Sequence, residues 1–262
     1  MCWMPDMTGP EIERLLGVVP VLLPVGSLEQ HGRHLPVDTD AAIARAFALA
    51  IASEVGAMVA PGLGYGYRSQ PASGGGEIFA ATTSLSGQVL CDAVHDVLCA
   101  LVRHGQSEFA LINGHYENAA FLVEAASRTV LEHPETRVLL LNWWEVADQE
   151  RLDAIFSGQF PGWAAEHAGV VETSLMMHLD RRRVREDLIE ARMASVEPPR
   201  YTILPERPGL VDGSGVLRTA DGSSAAIGEE IFLHVVDRSC DILRTELRTA
   251  PAATPRIDGP SA

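Results

Sequence analysis

The chain has 262 residues, 47% of them hydrophobic and 21% charged, with a formal net charge of −15 at pH 7. That length suits one large α/β domain or two small ones, and the acidic surplus argues against nucleic acid or an anionic membrane as the main partner. All 20 basic side chains are Arg, and the absence of Lys removes Schiff-base chemistry, PLP anchoring and the Walker-type phosphate loop.

Thr8 followed three residues later by Glu11 is a capping-box pattern, and it predicts a short amphipathic helix near residues 12–16. Residues 18–25 are an apolar run rich in β-branched side chains, which reads as a buried strand. Pro20 and Pro24 interrupt the apolar stretch 15–25. It falls short of a membrane span, and no charged segment marks it as a signal peptide. Residues 26–39 form a polar loop and 41–55 an Ala-rich helix, with Gly56 in the helix-ending position. The unit recurs as strand 57–60, Gly-rich loop 61–83 and helix 87–103. It recurs again as strand 109–112, loop 113–118 and helix 119–131, before strand 137–141. Strands alternating with helices predict βαβ units and an α/β fold with a mainly parallel sheet.

After residue 142 the rhythm breaks. Residues 143–162 are irregular or partly helical, 170–178 form a helix, and 198–222 form a Pro- and Gly-rich loop. Residues 227–247 form a closing helix. With no internal repeat and no boundary, the expectation is a single domain over 1–248 with a disordered tail over 249–262. Cys2, Cys91, Cys99 and Cys240 form no CxxC pair and no disulfide-like spacing, which indicates a reduced, cytoplasmic protein.

In a parallel sheet, ligands bind beyond the carboxyl ends of the strands. Glu29, His31, His34, Asp38 and Asp40 follow the first strand; Tyr65, Tyr67 and Ser73-Gly74-Gly75-Gly76 the second; His115, Tyr116 and Glu117 the third; Trp143 and Trp144 the fourth. Solubility gives polar residues no reason to gather at one end of every strand. Glu29 with His31, and His115 with Glu117, each place an imidazole and a carboxylate two residues apart, on one side of an extended turn. With Asp40 they make two imidazoles and three carboxylates without a thiolate, a mixture suited to Zn²⁺ or Mn²⁺. Five ligands exceed what one catalytic zinc needs. They fit two ions bridged by one carboxylate, with a water between.

The segment Gly26–Asp40 (GSLEQHGRHLPVDTD) resembles the signature of the creatininase family of metal-dependent amidohydrolases. The likeness extends through residues 65–70, 73–76, 82–85 and 113–118, Gly162-Trp163 to Glu166-His167, and Val171 to Met176, covering about 21–179. The Tyr and Glu of His115-Tyr116-Glu117 favour the branch that acts on creatinine. The resemblance implies a three-layer α/β/α fold, a homohexamer and hydrolysis of the cyclic amide of creatinine to creatine. It further implies that Asp40 bridges two ions, that Glu29 and His115 complete a Mn²⁺ position, and that His31 and Glu117 complete a Zn²⁺ position (or that both ions are Zn²⁺). Ser73, Tyr116, Trp144, Trp163 and Glu166 would form the substrate pocket, with His167 as proton shuttle and Trp163 on a closing loop. Ala164 departs from the pattern, because the family branch carries an acidic residue directly after the loop Trp.

The same chemistry on another small cyclic amide, formamide or short peptide is the alternative, followed by a non-catalytic metal-binding assembly protein. Among accessory residues, Trp143 and Trp144 also suit core packing. His34 and Asp38 are partners that orient the ligating imidazoles or plain loop polarity. His95, His104, His133, His178 and His234 lie in or beside helices and receive no role.

Overall fold

The computed structural model describes residues 2–158, 160–190, 201–205, 209–210 and 213–249. The first helix, α1 (Gly9–Glu13), rests on the predicted box: Thr8 donates to Glu11 Oε2 from its backbone N and from Oγ1, both at 2.7 Å. It starts earlier than 12–16 because a cap at Thr8 fixes the first helical residue at Gly9, and Pro10 is tolerated in a first turn. Strand β1 (Val21–Val25) is shorter than predicted, since Val18 and Val19 both give their N–H groups to the Leu15 carbonyl.

Helix α2 (Thr39–Val55) ends at Gly56, whose φ of 70° is the left-handed closure expected of it. Then come β2 (Met58–Val59), α3 (Gly87–Val102), β3 (Glu108–Asn113), α4 (Ala119–Glu132) and β4 (Arg137–Asn142). The region after β4 is partly helical as expected, with α5 (Trp143–Val146), α6 (Gln149–Ile155) and α7 (Val170–Asp180). Helix α8 (Ala225–Glu246) is capped by Ser224 Oγ, which accepts from Ile227 N at 3.2 Å. The predicted tail beyond Thr249 and parts of the predicted loop 198–222 lie outside the described residues.

Among the described residues, four strands pair in parallel in the order β2-β1-β3-β4. Their period of two splits the core between the faces. Leu22, Ala110, Ile112 and Leu141 pack with residues of α2, α7 and α8, while Val21, Leu23, Val25, Phe109 and Leu111 pack with α3 and α4. This is the three-layer α/β/α architecture. Pro24 sits in a central strand without breaking a ladder: the carbonyls of Pro20, Leu22 and Pro24 face the β2 side, where β2 has already ended at Val59.

Register positions the site. Val25 pairs with Asn113 and Asn113 with Asn142, so three strands stop at one level and their loops leave from one edge. The start of α2 backs directly onto that edge. A Cβ on Gly26 would lie 2.4 Å from Ala41 Cα, and one on Gly114 would lie 2.3 Å from the Asp40 carbonyl. Only glycine allows that approach, and it brings Asp40 between the two loops. Among the described residues, no helix is long and apolar enough to cross a membrane.

Candidate metal centre and active site

Asp40 turns one carboxylate oxygen to each of two imidazoles: Oδ1 lies 3.0 Å from His31 Nε2, and Oδ2 lies 3.0 Å from His115 Nδ1. Glu29 Oε1 is 2.9 Å from the same His115 nitrogen, and Glu172 Oε2 is 3.7 Å from His31 Nε2. Glu29, His31, Asp40 and His115 are all buried. Asp40 joins two overlapping donor sets, Glu29–Asp40–His115 and His31–Asp40–Glu172, each with its donor atoms within 4.8 Å of one another, and Glu29, His31 and His167 make a third, equally close combination without it.

Backbone carbonyls fix the tautomers. A carbonyl only accepts, so His31 Nδ1 donates to Glu29 O at 3.2 Å and His115 Nε2 donates to Tyr67 O at 3.0 Å. Each neutral ring then points its remaining lone pair at carboxylates. Lone pairs facing carboxylates repel unless a proton or a cation lies between them. His31 Nε2 and Asp40 Oδ2 are indeed buried without a hydrogen-bond partner, and leaving such groups unpaired costs about 1–3 kcal/mol each. Two divalent cations held by oxygen and nitrogen donors satisfy both atoms, so the donor set fits the pair of ions.

The electrostatics agree. Burial disfavours a charged His31 ring, yet Asp40 and Glu172 outweigh it and raise its pKa to about 10. Burial likewise pushes the Asp40 carboxyl up, but His31 and His115 carry its net shift downward. Burial drives Glu172 up to about 7, and His31 only partly opposes this. The cluster thus gathers protons onto its imidazoles and one outer carboxylate, as a site shaped for positive charge does when only protons are at hand.

The predicted ligands Glu29, His31, Asp40 and His115 are brought together. Glu117 stands elsewhere than expected. Its Oε2 lies 3.3 Å from His115 Nε2, on the opposite ring edge from the Glu29–Asp40 side, and its Oε1 accepts from Ser73 Oγ and from Gln70 N at 3.2 Å. The partner of His31 and Asp40 is instead Glu172, in the first turn of α7, a residue outside the expected ligand set. A lone acid inside the apolar run Val170-Val171-Glu172-Thr173-Ser174-Leu175-Met176 was the available signal.

His167 Nε2 donates to Gln30 O at 2.8 Å, which leaves Nδ1 unprotonated, 3.9 Å from Glu29 Oε1. Burial, reinforced by His31, lowers its pKa to about 4, so the neutral ring is available to take a proton. Glu166 accepts from Val171 N and so caps the start of α7, the helix that delivers Glu172. His34 Nε2 meets Thr173 Oγ1 at 2.9 Å on the same helix, and Asp38 pairs with Arg183. Both therefore brace the first loop against the segment that carries Glu172, outside the donor cluster itself.

Gly169 lies against the Glu166 carboxylate; a Cβ there would come within 2.6 Å of Oε2. Gly169→Ala is expected to displace Glu166 and destabilise the protein by about 1–3 kcal/mol. Glu166→Gln keeps the acceptor and is expected to lose about 1 kcal/mol or less. Thermal unfolding of the two variants checks the order.

The cluster opens into a cavity lined by Ser73, Tyr116, Trp144, Trp163, Glu166 and His167, among others. Its walls are interlocked rings. Tyr116 and Trp144 have centroids 5.7 Å apart, and Trp143 meets Trp144 at 6.0 Å and Trp163 at 5.4 Å, both edge-on. Trp143 has a double position: it stacks on Phe47 in the core and also lines the cavity, with its Nε1 unpartnered.

A family model described as creatininase, creatinine amidohydrolase, matches residues 5–243. Creatinine amidohydrolase of Pseudomonas putida is 38% identical over 232 residues, 86% of this chain and 89% of that protein. The mycofactocin precursor peptide peptidase of Mycolicibacterium smegmatis is 31% identical over 265 residues, 92% and 91% of the two chains. Among solved structures, a glutamate-to-glutamine mutant creatininase complexed with creatine superposes with TM-score 0.89 at 36% identity, covering 93% of this chain and 98% of the other. A Zn–Zn type and a Mn form of creatininase superpose with TM-score 0.90 at 35% and 36% identity, each covering 94% of this chain and 98% of theirs. Shared fold and shared sequence coincide over nearly the whole chain, which therefore belongs to the creatininase family of metal-dependent amidohydrolases.

Proposed function

We propose that this enzyme hydrolyses the cyclic amide of creatinine to give creatine. The observation that carries the reading is Asp40 shared by two donor sets at the floor of an aromatic-walled cavity. Asp40 with Glu29 and His115 would hold one divalent ion, and Asp40 with His31 and Glu172 the other, as Zn²⁺ and Mn²⁺ or two Zn²⁺. When bound, such a pair supplies an activated water and an electrophile for the amide carbonyl.

The chain's own residues supply the rest. Tyr116, Trp144 and Trp163 offer flat faces to a small planar ring and exclude bulk water from it. His167 takes a proton on Nδ1 and returns it to the departing ring nitrogen as the lactam C–N bond breaks. Ser73 holds Glu117 beside His115, where that carboxyl, pushed up to about 7 by burial, can also hold a proton. Glu166 keeps α7 in place.

His167→Ala is expected to leave metal content unchanged and cut turnover by about 10²–10⁴; unchanged turnover would remove the shuttle. The whole reading is tested by assaying creatinine with the freshly purified, metal-analysed enzyme. Rapid creatine formation that is lost on chelation supports it. A second reading keeps the machinery and changes the substrate to another small cyclic amide, formamide or short peptide. Ala164 favours it, because no carboxylate from that position meets a guanidine-like group, and so does the peptidase named above. Turnover of such a panel with none of creatinine would select it.

We further infer one functional domain over 1–248, assembled as a homohexamer in the cytoplasm. The family resemblance supports the hexamer, and four free thiols support the reducing compartment. Light scattering of the purified protein checks the mass.

A further inference from the structure

On the opposite side of the sheet from α2, α7 and α8, the outer layer of α3 and α4 holds a second group of ligand atoms. His95 and Cys99 are both buried and sit one turn apart on α3, the i, i+4 spacing that places two ligands on one helix face. Glu132, the last residue of α4, reaches across to them, with Oε2 3.3 Å from His95 Nε2. Cys99 Sγ lies 3.7 Å from both ring nitrogens, and donor atoms of the three side chains all fall within 4.8 Å of one another.

The ring's tautomer is set from behind. Thr129 Oγ1 donates to Ala125 O at 2.9 Å, so it can only accept from His95 Nδ1, 3.0 Å away. A neutral His95 therefore keeps its proton on Nδ1 and aims its Nε2 lone pair at the Glu132 carboxylate. This repeats the arrangement of His31 and His115 with Asp40: a carbonyl or hydroxyl fixes one ring nitrogen, and the other faces a carboxylate.

We propose that His95, Cys99 and Glu132 form a third metal site, separate from the catalytic pair, that takes a thiophilic divalent ion of the Zn²⁺ class and clamps α3 to α4. The thiol sets the selectivity. A Cys ligand favours Zn²⁺ over Mn²⁺, whereas the catalytic donors, all oxygen and nitrogen, accept either. Glu132 is exposed and free to swing toward the ion, while the thiol sheds its proton as a thiolate ligand must. A water completes the fourth position of a tetrahedral set.

Cobalt separates this site from the catalytic one. No cysteine belongs to the catalytic donor sets, so a near-ultraviolet thiolate-to-cobalt charge-transfer band in the Co²⁺-loaded full chain can arise only from a cysteine site. We expect the metal-stripped wild-type protein, saturated with Co²⁺, to show that band. Cys99→Ser should lose it and bind one Co²⁺ fewer per chain, with hydrolytic turnover unchanged. Glu132→Gln, which keeps the thiol, should retain a weaker band that requires at least tenfold more Co²⁺. Mn²⁺ titration should give the same stoichiometry for wild type and Cys99→Ser. Absence of the band in saturated wild type overturns the proposal. So does a band of undiminished strength in Cys99→Ser, which would place the thiolate at Cys2, Cys91 or Cys240. Neither result bears on whether the enzyme hydrolyses creatinine.

Discussion

Asp40→Asn is expected to reduce turnover by about 10⁴-fold or more, some 5 kcal/mol of barrier, and to cost the enzyme more than half of its bound metal. The expectation follows from position. Each carboxylate oxygen of Asp40 faces a different imidazole, and both donor sets contain it. Removing Glu29 or Glu172 would trim one set, whereas removing the Asp40 charge weakens both. Asn is the informative replacement because it keeps the shape that Gly26 and Gly114 admit at the start of α2. Its amide can donate to the His31 or His115 lone pair, so the metal-free fold should persist, as circular dichroism would register. Elemental analysis gives the decisive number. Retention of both catalytic ions together with near-normal turnover in Asp40→Asn would mean that this carboxylate is not the shared ligand.

The sheet and most of the donor cluster were legible in the sequence because both rest on local patterns. Alternation and β-branched runs mark strands, helix-length amphipathic segments separate them, and polar residues at successive strand ends follow directly from a parallel sheet. Glu29-x-His31 and His115-x-Glu117 each lie within one loop, so the spacing alone suggested a pair of ligands. Residues whose role depends on another part of the chain were opaque. Glu172 reads locally as an acid complementing a helix N-terminus, and only the packing of α7 against the first loop shows it facing His31. Glu117 looked equivalent to Glu29 by spacing. The turn Tyr116–Asn118 and the bond from Ser73 nevertheless place it at the other edge of His115. His95 could not be told from a solvated helix histidine, because Thr129 and Glu132 come from a different helix. Trp143 was readable as core and is core. Its second face, on the cavity, depends on Trp163 arriving from twenty residues downstream.

Glu172→Gln is expected to remove one of the two catalytic ions and leave the other, with turnover falling by about 10³-fold or more. The ion lost should be the one held by His31 and Asp40, since Glu29, Asp40 and His115 keep all three of their donors. The fold should be spared for a specific reason. Glu172 Oε2 accepts from Ala168 N at 2.7 Å, a bond the Gln oxygen can keep. Burial also raises the Glu172 carboxyl to about 7 in the metal-free protein. A folded-state pKa above the ordinary value means that the charged form is disfavoured there and the protonated form favoured, so the neutral amide resembles the state the metal-free protein already prefers near and below pH 7. Metal-free Glu172→Gln should therefore melt at or slightly above the wild-type temperature. Saturating Zn²⁺ should raise its Tm by less than it raises that of wild type, because ligand stabilisation scales with the number and affinity of ions bound. Glu117→Gln makes the complementary case: Ser73 and Gln70 still hold the side chain, and the His31–Asp40–Glu172 set is untouched, so its Zn²⁺-induced shift should exceed that of Glu172→Gln. The opposite order, with Glu117→Gln losing the His31-bound ion and Glu172→Gln retaining both, would make Glu117 the partner of His31 and require α7 to sit farther from the first loop in the metal-loaded enzyme.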